Sequence, residues 1–88
     1  MATVWIPSLM RDVTGGRESV VVPGATLREV VANLEAAFPG LGARLCSPEG
    51  AILPYIAVAV DGEAAIEGMR TRISEESEVH FLPAISGG

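Results

Sequence analysis

The periodicity of apolar and polar residues changes along this chain, and each change predicts a new element. Apolar, β-forming side chains run from Thr3 to Met10 and again over residues 17–22, which predicts two strands. The turn-forming residues 11–16 separate them and predict a hairpin with a long loop. Because Pro7 lacks a backbone N–H, we expect an edge position or a local irregularity within the first strand.

One amphipathic helix follows the hairpin. Thr26 and Glu29 have the spacing of a capping box, in which the Thr26 hydroxyl meets the Glu29 N–H and the Glu29 side chain reaches back. Apolar residues then recur at helical spacing, and Pro39-Gly40 predicts the end of the helix. These apolar residues are Leu27, Val30, Val31, Leu34 and Phe38.

The pattern in the second half of the chain predicts a long connection followed by three strands. Residues 41–54 are rich in Gly and Pro and predict a connection without regular structure. Residues 55–60 are β-branched and precede Asp61-Gly62, a strong hairpin turn signal. Residues 63–66 then form a short fourth strand, and residues 79–82 form the last one.

This order of elements predicts an α+β fold of the ubiquitin-like β-grasp type, a mixed sheet with one main helix across one face. We expect the last strand to lie centrally, next to the first. The predicted domain covers residues 1–83, and residues 84–88 form a free, flexible C-terminal tail that ends in Gly-Gly.

Strand alternation predicts an apolar outer face on this sheet. If Val79 and Phe81 face the helix, their neighbours face outward. The predicted outward residues are Trp5, Pro7, Tyr55, Ala57, Ala59, His80 and Leu82. An apolar patch of this kind indicates a partner surface, and the alternative is that residues 41–54 fold over it.

The C-terminal tail is the part of the chain where chemistry is expected. The sequence ends in Pro83-Ala84-Ile85-Ser86-Gly87-Gly88. Pro83 ends sheet pairing, and glycine has no Cβ, so the tip is slim enough to enter a narrow catalytic channel. The chemical group would be the carboxylate of Gly88, ionised at neutral pH. The alternative is a frayed terminus without a role.

Composition narrows the class of protein. The chain has 88 residues, of which 49% are hydrophobic and 19% charged, as in one globular domain. Its net charge of −5 argues against nucleic acid and anionic membranes as partners. One cysteine excludes an internal disulfide, and neither a signal peptide nor a spanning segment is evident, so we expect a cytoplasmic protein.

Few side chains could catalyse a reaction. Cys46 is the sole cysteine and His80 the sole histidine, which together do not fill a metal site. A lone cysteine is more often a small buried apolar residue than a nucleophile. Lysine is absent; codon bias explains this, and the alternative is protection of an activated C-terminus from attack by side-chain amines.

Several blocks of the sequence resemble the MoaD/ThiS family of ubiquitin-like sulfur carriers, and the resemblance covers nearly the whole chain. The first block looks most like the CysO type of actinobacterial cysteine biosynthesis. The blocks are Ile6-Pro7-Ser8-Leu9-Met10-Arg11, Thr14-Gly15-Gly16, Gly24-Ala25-Thr26-Leu27, Phe38-Pro39-Gly40-Leu41 and residues 79–88.

The resemblance implies a protein co-substrate that is not itself an enzyme and binds no cofactor. An E1-like adenylyltransferase would use ATP to adenylate the Gly88 carboxylate, and sulfide or a persulfide would displace AMP to leave a thiocarboxylate. A sulfur-accepting synthase would then take the sulfur, for cysteine or another sulfur-containing metabolite. A JAMM-type metalloprotease is a further implied partner, since it trims relatives that extend beyond Gly-Gly. The carrier is expected to be a monomer when free.

The resemblance also assigns roles to residues. Gly88 matches the residue that carries sulfur, Gly87 the position that threads the channel, and Leu82, Pro7 and Ile66 the apolar docking positions. The rest of the tail is expected to contact partners as well, namely Pro83, Ala84, Ile85 and Ser86.

Three other functions remain open at this stage. The chain could be the small subunit of molybdopterin synthase. It could be a ubiquitin-like modifier that is joined through Gly88 to lysines of target proteins. It could also be a non-covalent β-grasp interaction subunit in which the tail has no role.

Overall fold

The computed structural model describes residues 1–83, so the predicted tail at residues 84–88 lies outside the described residues. Within residues 1–83, five strands form one sheet, with two α-helices and two short 3-10 helices in the connections. The strands are β1 (Ala2–Trp5), β2 (Ser19–Val22), β3 (Ile56–Val60), β4 (Glu63–Ala64) and β5 (Glu78–Pro83). The α-helices are α1 (Leu27–Ala37) and α2 (Leu41–Leu45), and the 3-10 helices are Ser8–Met10 and Gly68–Arg70.

The last strand lies in the middle of the sheet, whose strand order is β2-β1-β5-β3-β4. β5 runs parallel to β1 and antiparallel to β3, with His80 opposite Trp5 on one side and Ala59 on the other. β1 and β2 form the predicted antiparallel hairpin. The predicted ubiquitin-like β-grasp with a central last strand is therefore confirmed.

The core lies between α1 and one face of the sheet. Alternate residues of the central strands point into it, and Val4, Val79 and Phe81 are almost fully buried. The helix contributes Leu27, Val30, Val31 and Leu34 from its predicted apolar face. Burial of a large apolar side chain contributes about 1.5–3 kcal/mol each, so this layer is the main source of stability.

The start of α1 carries the predicted cap with one change. The Glu29 N–H donates to the Thr26 hydroxyl oxygen at 3.3 Å, as in a capping box. The Glu29 carboxylate, however, accepts from the N–H of Ala25 at 2.8 Å, one residue before the cap. The side chain therefore extends the cap into the connection from β2.

The first strand is shorter than predicted. β1 ends at Trp5, and Ser8–Met10 is a 3-10 helix instead of a strand. Pro7 has no N–H to continue the ladder, and its carbonyl accepts from the Met10 N–H at 2.9 Å, which turns the chain away from the sheet. β4 is likewise shorter than predicted and ends at Ala64, where the Ile66 N–H bonds to the Ala64 carbonyl.

The predicted unstructured connection at residues 41–54 contains a short helix, α2. Leu41 and Leu45 are both buried, and their spacing of four residues places both on one face, against α1. Gly40 precedes α2 with a φ of 102°, a left-handed conformation that favours glycine. Within residues 1–83, no helix combines the length and apolar character needed to cross a membrane.

Candidate functional site

The outer face of the sheet carries an aromatic pair at its centre. Trp5 on β1 and His80 on β5 stack with ring centroids 5.6 Å apart and planes 11° from parallel. The Trp5 indole N–H donates to Glu78 Oε1 at 3.1 Å, and His80 Nε2 lies 3.9 Å from the same oxygen. This network fixes the two rings against the sheet, so the face presents a preformed surface.

The described chain does not cover this face. Trp5, Tyr55 and Ala57 are exposed, and Leu82 on β5 is 48% exposed. The connection at residues 41–54 instead folds back on α2, where the Leu53 N–H donates to the Leu45 carbonyl at 3.0 Å. The alternative of a sheet face covered by that connection is therefore wrong.

A groove opens where β5 ends, and we call it the tail-root groove. Its volume is about 480 Å³. Its open sides are formed by Pro7, Leu9, Met10, Tyr55 and Leu82, with Arg11 at its border. The buried side chains of Ile6, Ile56 and Phe81 lie beneath it, so the groove is apolar on a rigid base.

The structure brings together two of the three predicted docking residues. Pro7 and Leu82 both border the tail-root groove. Ile66 is 92% exposed and lines a separate cleft of about 350 Å³ beyond β3, together with Ala57. Ala57 lies opposite Leu82 in the β3–β5 register, so the two hollows are close together. The second cleft is also lined by Leu27 of α1, so it opens at the β3–β4 edge of the sheet beside the start of the helix.

Leu9 was not among the predicted docking residues, yet it is the most prominent apolar side chain beside the groove. It lies on the 3-10 helix Ser8–Met10 and is 82% exposed. The sequence did contain a signal, since a Pro-Ser pair after a strand commonly starts a turn. The prediction of a continuous strand concealed it.

The strand that leads to the tail is paired on both sides as far as His80, and with β3 alone from there to Pro83. β5 pairs with β1 and β3, and its register with β3 extends to Pro83, which lies opposite Ile56. The chain beyond Pro83 therefore starts from a fixed point at the centre of the sheet. The remaining predicted site residues, Ala84, Ile85, Ser86, Gly87 and Gly88, lie outside the described residues.

The reactive side chains do not converge on this groove. Cys46 is half-buried at the end of α2 and borders a hollow with Arg28 and Met69, on the helical side of the molecule. Burial raises the pKa of the Cys46 thiol. His80 is on the outer sheet face, so Cys46 and His80 form no pair. Residues 1–83 contain no group of three or more potential metal ligands.

A central last strand that ends at an exposed apolar groove, with one main helix across the other face of the sheet, defines this chain as a small ubiquitin-like β-grasp protein. The chain belongs to the ThiS family, whose profile matches residues 4–88.

Curated relatives include a carrier and a modifier. The chain is 37% identical over 90 residues to the sulfur carrier protein CysO of Mycobacterium tuberculosis, covering 98% of this chain and 97% of that protein. It is 32% identical over 66 residues to the small archaeal modifier protein 3 of Haloferax volcanii, covering 73% of this chain and 71% of that protein. Neither name describes a catalyst.

Solved structures of similar proteins have the same fold. The crystal structure of Mycobacterium tuberculosis CysO superposes with a TM-score of 0.92 at 35% identity, covering 97% of this chain and all of that one. A chain from the BexX/CysO complex of Amycolatopsis orientalis superposes with a TM-score of 0.91 at 33% identity, covering both chains fully. That second relative was crystallised together with a partner protein.

Proposed function

We propose that this protein is a sulfur carrier whose Gly88 carboxylate is converted to a thiocarboxylate. One observation carries the proposal: in a chain that belongs to the ThiS family, the strand leading to Gly87-Gly88 is clamped at the centre of the sheet beside an exposed apolar groove. A fixed base and a nearby docking surface are what an enzyme needs to receive a short tail in a defined position.

The proposed chemistry takes place in two steps at the Gly88 carboxylate. An oxygen of the Gly88 carboxylate attacks the α-phosphorus of ATP, and pyrophosphate leaves as the acyl-adenylate forms. Sulfide then attacks the carbonyl carbon. The bond to AMP breaks, and the thiocarboxylate remains. If an enzyme persulfide attacks instead, an acyl disulfide forms, and a second enzyme thiol releases the thiocarboxylate from it as an enzyme disulfide forms. The carrier supplies only the carboxylate, while the partner enzyme binds ATP.

Docking is proposed to use the outer face of the domain. Leu82 and Pro7 at the tail-root groove, and Ile66 in the neighbouring cleft, would contact the E1-like enzyme. Exposed apolar side chains on a rigid base bind with little loss of conformational entropy. Residues 83–86 would span the distance to the catalytic centre, and Gly87 would enter its narrowest part.

The similarity to CysO supports cysteine biosynthesis as the pathway. A sulfur-accepting synthase would be the second partner, and the reactions would take place in the cytoplasm. Covalent attachment would keep the sulfur from diffusing away as sulfide between the two enzymes.

A second function, protein modification, is favoured by the similarity to a small archaeal modifier protein. The same acyl-adenylate would be the starting point, with a lysine amine of a target protein in place of sulfide. This chain contains no lysine, so it could not form chains on its own lysines. Isopeptide-linked adducts in cell extracts would distinguish this function.

A semisynthetic chain with an amidated Gly88 tests the first step. The activating enzyme from the same source should catalyse exchange of pyrophosphate into ATP only with the unmodified carrier. The amide has the same length but lacks the attacking oxygen, so it should bind without supporting exchange. Equal exchange with both chains would contradict activation at Gly88.

A further inference from the structure

Leu9 lies at the border of the tail-root groove and is exposed although the loop that carries it is held in place. A single exposed leucine is ordinary on a protein surface. Leu9, however, is 82% exposed at a point where the loop between β1 and β2 is held firmly. A side chain that is both apolar and fixed is what a protein partner can bind at low entropic cost.

Two side chains hold the loop from within. Arg11 Nε donates to the Ile6 carbonyl at 3.1 Å, which ties the 3-10 helix to the end of β1. The Thr14 hydroxyl is buried and lies 3.2 Å from the Arg11 carbonyl and 3.0 Å from the Arg17 carbonyl. Thr14 therefore closes the loop across its base.

Arg44 on α2 holds the loop from outside. Its Nη1 donates to the Leu9 carbonyl at 3.0 Å, and its Nη2 lies 3.0 Å from Asp12 Oδ2. An exposed ion pair of this kind contributes little to stability. Its physical effect is to fix the position of Leu9 relative to the rest of the domain.

The charge around the groove differs from that of the molecule. The chain carries a net charge of −5, and Asp61 and Glu78 lie together at the other end of β5. Arg11 borders the tail-root groove and forms no ion pair within residues 1–83. A partner that covers the groove is therefore expected to place a carboxylate opposite Arg11.

The length of the tail limits where an enzyme that acts on Gly88 can bind. Gly88 lies five residues beyond Pro83, a reach of at most about 16–18 Å at 3.3–3.6 Å per residue. An enzyme that acts on Gly88 must therefore place its catalytic centre within that distance of the end of β5, where the tail-root groove and Leu9 lie.

We propose that residues 8–11 are a second docking element for the activating enzyme, in which Leu9 enters an apolar pocket and Arg11 faces a carboxylate, and that Arg44 is the positioning residue that presents Leu9. This inference rests on the proposed function, because it assumes that an enzyme activates Gly88. The proposed element lies outside the sheet, and its contacts would help to select the activating enzyme.

Leu9→Ser tests the docking element in steady-state adenylation kinetics. We expect the KM for the carrier to rise about tenfold with kcat nearly unchanged, as for a contact made equally in binding and reaction. Val21→Ser is the matched control, because Val21 is 57% exposed on β2 away from the groove, and its KM should stay within about twofold. Equal effects of both substitutions would overturn the proposal.

A double-mutant cycle tests the role of Arg44. Arg44→Gln should raise KM about three- to fivefold in the otherwise unchanged chain and have almost no further effect in Leu9→Ser. Fully additive effects would show that Arg44 does not act through Leu9 and would overturn its role. Thermal unfolding of each variant checks that the domain remains folded.

Arg11→Gln tests whether the Arg11 guanidinium faces a carboxylate of the activating enzyme. The rise in KM with added salt should be shallower for this variant than for the unchanged chain, because one screened attraction is gone; identical salt dependence would contradict the carboxylate contact.

If the unchanged chain is adenylated and Leu9→Ser has the same KM, only the docking element is overturned. If the unchanged chain is not adenylated, both proposals fail.

Discussion

Adjacent residues on β5 have opposite roles because strand side chains alternate. Phe81 is buried under α1, whereas Leu82 borders the tail-root groove. The same alternation places Val4 in the core and Trp5 against His80. Substitution of an inward-facing residue should therefore affect stability, whereas substitution of its outward-facing neighbour should affect the proposed docking.

Phe81→Ala and Leu82→Ala should separate these roles. Removal of the buried Phe81 ring leaves a cavity and should lower the free energy of unfolding by about 3–5 kcal/mol. Leu82→Ala should lower it by less than about 1 kcal/mol while it weakens binding to the activating enzyme. Urea unfolding and titration calorimetry measure the two effects, and similar losses of stability would contradict this assignment.

Cys46 predicts a pH dependence of stability. Burial raises the pKa of its thiol, so the folded protein holds this proton at pH values where the unfolded chain has lost it. The contribution is fully present below the unfolded pKa and is lost as the pH rises through the folded pKa. Urea unfolding on the alkaline side should show this decline, and Cys46→Ser should lack it. An equal decline in both chains would contradict the assignment.

At the level of elements, the junction between β2 and α1 depends on one glycine. Gly24 has a φ of 153°, and a Cβ built there would lie 2.7 Å from Val30 Cγ2 and 2.8 Å from the Val30 backbone nitrogen. The connection can therefore bring α1 against the sheet only if this position lacks a side chain.

Gly24→Ala should destabilise the domain more than Gly16→Ala. Gly16 also has a positive φ, but a Cβ there meets no atom within 4 Å, so its cost should be only the strain of about 1 kcal/mol. Gly24→Ala adds the clash with Val30, whose relief should cost a further 1–3 kcal/mol or so. Thermal unfolding of both variants measures the difference, and equal losses would show that the clash is relieved elsewhere.

The sequence predicts those elements whose pattern is local. The spacing from Leu27 to Leu34 predicted α1, and Asp61-Gly62 predicted the hairpin between β3 and β4. The end of β1 was missed because apolar residues continue past Pro7. Pro7 indicated a local irregularity, and the structure shows that this irregularity is a 3-10 helix. α2 was missed because Gly and Pro dominate its surroundings, although Leu41 and Leu45 have helical spacing.

The residues of the candidate site were predicted in part from the sequence, and in part they became evident only from tertiary contacts. Strand alternation predicted that Leu82 and Pro7 face outward, and the resemblance assigned docking roles to both and added Ile66. The contact between Arg44 and the Leu9 carbonyl spans 35 residues of sequence, so no local pattern could reveal it. The position of Leu9 beside the groove depends on that tertiary contact.

At the level of the whole molecule, the sheet order explains how a small domain can present a short tail. β5 is the last described strand but central in the sheet, so it is held by β1 as far as His80 and by β3 up to Pro83. The core and the docking surface use opposite faces of the same strands. The result is a rigid base next to the tail, as the proposed activation of Gly88 requires.

The mass of the intact protein tests the central claim most directly. The chain is incubated with ATP, sulfide and an activating enzyme from the same source that has been validated on a known sulfur carrier, beside a chain that lacks Gly88. We expect a gain in mass equal to the exchange of one oxygen for sulfur in the full chain only. An unchanged mass, or an equal gain without Gly88, would contradict a thiocarboxylate carrier.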